Sequence, residues 1–173
     1  MAPSRFQEVH NLPTTSNVML NMVVGIEFDD PRHNCLVAEN LNGCTAVVII
    51  SDHAAVMANI LPRPTIYDSD PYIGDKNMKE KVVELVEFIS RHRDKFPLYA
   101  CWAWVIYAVL DGETGLPGQK GIINDVLTTM GISRADHPYS VLVGRPRPAG
   151  QGTVVIDARS GRPEVYIDDL RVN

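Results

Sequence analysis

Long apolar runs, paired cysteines and an excess of positive charge are all missing from this 173-residue chain. Three cysteines occur, at 35, 44 and 101, an odd number with no CxxC spacing. That argues against a disulfide framework and a zinc ribbon, and predicts free thiols in a reducing, cytoplasmic setting. No metal and no cofactor is expected. Lys and Arg number 16 against 21 Asp and Glu, a net charge of −5, so nucleic acid and anionic membranes find no electrostatic footprint here. The longest apolar segment, 98–110, reaches little more than half of the roughly 20 residues that span a bilayer. Residues 1–16 lack a basic-then-apolar leader and read as a flexible polar arm. What is present is 45% hydrophobic residues, enough for one globular domain over 17–173 with a sizeable core.

Along the chain, residues 18–26 form an apolar run that predicts a strand, as do 35–39. Asn42-Gly43 is a tight-turn dipeptide, because both residues tolerate positive φ. It delivers Cys44 to the mouth of a strand over 46–50, which does not alternate and so predicts burial on both faces. Ser51-Asp52-His53 breaks the run, and 54–61 resumes it until Pro62 and Pro64. From Asn77 the period changes: Met78, Val82, Leu85, Val86 and Ile89 mark an amphipathic helix over about 77–93, with Asp75 or Asn77 as its cap. Residues 98–110 predict an aromatic, β-branched strand. A second helix over about 119–130 follows, and Gly131 suits its C-cap. Residues 139–143 predict a strand, and 153–156 with 164–167 a closing hairpin. This order predicts an α+β fold in which two helices share a sheet.

Taken alone, Cys44 reads as a small buried hydrophobe. As a nucleophile it needs a nearby base. The backbone N–H of Thr45, with that of Cys44, offers an oxyanion pair, and Gly43 and Thr45 flank the thiol as substrate-binding positions. His53 falls at the far end of the strand, His10 and His33 in loops, His92 at a helix end and His137 in a turn. Trp102 and Trp104 share a parity and face one side of their strand, as core or as an aromatic platform. Asp68, Asp70 and Asp75 match no calcium loop. Arg145-Pro146-Arg147-Pro148 reads as a surface connection or a polyproline ligand.

The stretch Gly43-Cys44-Thr45-Ala46-Val47-Val48, followed by Met57-Ala58-Asn59-Ile60-Leu61-Pro62, resembles the signature of the CheD-like chemoreceptor glutamine deamidases. Their fold is shared with the catalytic domain of cytotoxic necrotizing factors. The resemblance implies a CheD-like sandwich with mixed or antiparallel sheets. It also implies a thiolate that attacks a glutamine side-chain amide through a thioester, on a protein or small amide substrate. Cys44 matches the nucleophile. The position of the family histidine holds Asn59, which has no titratable nitrogen, and the family threonine falls near Ala38, which has no hydroxyl. Three readings stay open: a natural loss, a substitution introduced to trap substrate, or another base such as His33. Correspondingly, the chain is either a cysteine-dependent deamidase, intact or impaired, or a non-catalytic interaction module on that scaffold.

Overall fold

Two β-sheets stack face to face, and strand alternation decides which side chains lie between them. The computed structural model describes residues 4–173. One sheet is built from β1 (Thr15–Asn17), β3 (Cys35–Ala38), β9 (Val154–Asp157), β10 (Glu164–Ile167) and β11 (Leu170–Arg171), in the order β1-β3-β9-β10-β11. The other runs β2 (Met22–Glu27), β5 (Ala54–Ile60), β4 (Thr45–Ile50), β6 (Trp102–Leu110) and β7 (Glu113–Thr114), with β8 (Ser133–Ser140) added parallel to β6. Ala46, Val48, Met57 and Ile106 of the second sheet meet Leu36, Val154, Ile156 and Ile167 of the first, and these fill the inter-sheet core.

The opposite parity of β4 and β5, including Val47, Ile49, Val56 and Ala58, is also buried, under two helices. Those are α2 (Ile73–Arg91) and α3 (Pro117–Met130). Met78, Val82, Leu85 and Ile89 of α2, with Ile123 and Leu127 of α3, supply the apolar stripes. This second burial is why β4 reads as a continuous apolar run. Gly131 closes α3 at φ 71°. The molecule is thus an α+β sandwich.

Several expectations are corrected. The segment 1–16 is not a free arm where it is described; residues 1–3 lie outside the described residues. Helix α1 (Arg5–Val9) buries Val9 against Val37, Val155 and Tyr166, and β1 pairs parallel with β3. The apolar run 18–26 is only partly strand: β1 ends before it at Asn17, residues 18–21 connect the two sheets with Asn21 at φ 61°, and β2 begins at Met22. Asn42-Gly43 makes no hairpin, because β3 and β4 also lie in different sheets; the positive φ values belong to Asn40 and Gly43. Helix α2 begins four residues earlier than expected, and neither Asp75 nor Asn77 caps it. Asn77 is instead buried in α2, exchanging hydrogen bonds with Asn21 and donating to the Leu61 carbonyl. The strand expected at 139–143 is β8, shifted to Ser133–Ser140. Its mostly polar sequence suits an edge strand with much of its surface in solvent.

Candidate functional site

Strand register brings Cys44 and Asn59 to one face. Ala46 pairs with Asn59 across β4 and β5, and Cys44 stands two residues before Ala46 with its side chain in the same inter-sheet core. The two are therefore diagonal neighbours, a relation that separates residues by roughly 7–8 Å in a sheet. Cys44 is only 5% exposed, and Asn59 only 1%.

Among the described residues, none activates the thiol. Burial pushes the Cys44 thiol above its ordinary value, with a partial offset from a backbone hydrogen bond at Asn42. Burial likewise raises Cys35 and Cys101, each to about 11. Of the histidines, His53 sits in the β4–β5 turn, six strand residues beyond Cys44's end, or about 20 Å away. His33 bonds Ser16 Oγ through Nδ1 at 3.1 Å and shares a cavity with Glu27 and His92 at that same far end, so it is no replacement base. His92 Nδ1 lies 2.7 Å from Glu27 Oε1. His137 stands on β8 opposite Ile106, two strands from β4, which is about 10 Å by strand spacing. Ala38, at the family threonine position, is buried at the end of β3.

Beside the thiol, the Gly43 N–H is committed elsewhere. Tyr139, 95 residues from Cys44, places its hydroxyl between Gly43 and Cys44: it donates to the Cys44 carbonyl at 2.6 Å and accepts from the Gly43 N–H at 2.8 Å. Gly43 reaches that position at φ 119°, a backbone only glycine adopts readily. Thr45 is already in the β4–β5 ladder opposite Ile60. Burial lifts the Tyr139 phenol to about 12, so it stays protonated and serves as a clamp. Nothing near Cys44 in the sequence marks Tyr139 as its partner.

Residues 141–152 strap this end of the sandwich. Asn42 exchanges hydrogen bonds with Leu142 through both amide atoms (2.9 and 3.1 Å), and Leu41 N donates to Gly152 O at 3.0 Å. Arg147 Nη2 donates to Asn42 Oδ1 and to Ser140 O, with its guanidinium 5.3 Å from the Tyr139 ring centroid. The Arg-Pro segment is thus folded onto the molecule through Arg147.

Asn59 has a different outlook. Its Nδ2 donates to Val18 O at 3.3 Å, while its buried Oδ1 has no partner among the described residues. It lines a cavity of about 160 Å³ floored by Val18, Val37 and Asn59 and rimmed by Asn17, Leu20 and Glu39. A lone buried acceptor of this kind suits a neutral N–H or O–H donor; an ammonium would arrive with donors unmet. Among the described residues, no group of three His, Cys, Asp or Glu side chains is arranged to hold a metal ion, and no helix is long and apolar enough to cross a membrane.

No protein-family model matches the sequence. No curated protein matches it either.

Proposed function

We propose that this chain is a non-catalytic interaction module on a CheD-like deamidase scaffold, holding a glutamine-like side-chain amide of a partner without hydrolysing it. The observation that carries the reading is the pairing of a buried, base-free thiol with an amide at position 59. A primary carboxamide can donate to Asn59 Oδ1, and its short alkyl stem suits the Val18 and Val37 walls. Hydrolysis lacks a proton acceptor near the thiol among the described residues, and Tyr139 occupies the neighbouring Gly43 N–H. Three free thiols suit a reducing, cytoplasmic compartment.

Alkylation of Cys44 against pH, mapped by mass spectrometry with Cys44→Ala as control, tests this. The expected result is slow labelling with an inflection above 8.5, the ordinary thiol value. An inflection clearly below 8, or ammonia release from a glutamine peptide that disappears in Cys44→Ala, restores the deamidase reading and sinks this one.

A further inference from the structure

At the opposite end of the sandwich from Cys44, a cleft of about 380 Å³ opens between the two sheets. It lies beyond Ile50, a β4 length away from the thiol, and does not depend on the function proposed above. Its size falls in the range of sites that enclose small molecules.

Two tryptophans form one wall. Trp102 opens β6 and Trp104 follows on the same face, their ring centroids 6.3 Å apart at 61°. Trp104 is buried, whereas Trp102 leaves 43% of its surface exposed at the cleft mouth. An indole normally hides more than this. The edge-on pair offers a further aromatic ring a stacking or T-shaped place.

Two charges flank that wall, from turns of different sheets. Asp52 stands in the β4–β5 turn and Arg162 in the β9–β10 turn, and both line the cleft. Neither has an ion-pair partner among the described residues, and they do not pair with each other. A purely cationic ligand on Trp102 faces Arg162; a purely anionic one faces Asp52. A zwitterion satisfies both, its carboxylate on the guanidinium and its ammonium on the Asp52 carboxylate.

We propose that this cleft binds a free aromatic α-amino acid, its ring against the Trp102–Trp104 wall and its two charges on Arg162 and Asp52. The test is titration of the full chain with L-phenylalanine, which leaves indole fluorescence free to report on Trp102, alongside calorimetry. Saturable binding is expected, and Trp102→Leu, Arg162→Gln and Asp52→Asn each weaken it by about tenfold or more. All three side chains are exposed, so thermal unfolding of the variants should match the parent. Analogues report independently of any variant: phenethylamine lacks the carboxylate and 3-phenylpropionate lacks the ammonium, and each should bind about tenfold more weakly. Absence of saturation at millimolar phenylalanine overturns the proposal. So does an affinity indifferent to the loss of either charge, and so does equal binding of N-acetyl-phenylalanine amide, which mimics a residue inside a peptide.

Discussion

One hydroxyl decides how Cys44 is presented. Tyr139 satisfies the Gly43 N–H and the Cys44 carbonyl together, so Tyr139→Phe leaves two backbone groups without their partner. A cost of about 1–3 kcal/mol is expected, read as a lower urea midpoint at unchanged slope. Cys44 should also alkylate faster in the variant; unchanged stability and labelling would refute the clamp. At this scale the sequence was half legible. Cys44 and Asn59 stand out because the motif around them is local, and strand register does place them on one face. Tyr139 does not stand out, since its partners lie nearly a hundred residues upstream and a tyrosine before a serine carries no signal. His33 failed as a substitute base for a topological reason: the loop that carries it closes the far end of the strands.

Elements were read best where one periodicity met one environment. Both long helices were visible from their apolar stripes, and β4 from its unbroken run. The run at 18–26 reads as one strand from its apolar composition, yet residues 18–21 are the connection between the two sheets and the strand starts only at Met22, after Asn21 turns the chain. β8 was shifted because its polar edge position hides the period. The packing of α2 on β2 rests on Gly25, whose missing side chain leaves room for the Phe88 ring; a β-carbon there falls inside that ring. Phe88 also stacks on His92 at 4.4 Å and meets Phe96 edge-on at 6.0 Å. Gly25→Ala should therefore destabilise by about 1–3 kcal/mol. Adding Phe88→Ala should bring a coupling energy on the order of 0.5–3 kcal/mol in a double-mutant cycle; simple additivity would show that the ring is not the obstacle.

For the whole molecule, α1 and β1 form an integral layer, tied down electrostatically. Asp157 receives Arg159 Nη2 at 2.7 Å and Nε at 2.9 Å, and Arg5 of α1 at 3.4 Å; Arg5 also reaches Glu164 at 3.6 Å. Burial pushes the Asp157 carboxyl up, but the Arg159 hydrogen bonds and charge outweigh it and hold the carboxyl below its ordinary value. A depressed folded-state value makes a contribution that is complete above about pH 4 and is lost as pH falls through the lower folded value. Urea unfolding against pH should therefore show an acid loss beginning near pH 4. Asp157→Asn should be less stable already at pH 7 and flatter on the acid side; an unchanged acid limb would remove Asp157 from the account. None of this was visible at the start of the chain, where a short polar stretch with two prolines carries no sign of its partners beyond residue 150.

That β3 lies between β1 and β9 has a further consequence, in time. Cys35 and its ladder partner Asp157 are 122 residues apart in the chain. During synthesis, β2, β4, β5 and both long helices are all made before the strand that completes the first sheet exists. At ribosomal rates that interval is on the order of ten seconds. Through it, Ala46, Val48 and Met57 lack most of their opposing sheet, and the nascent chain carries an uncovered apolar face that closes only once β9 and β10 are made.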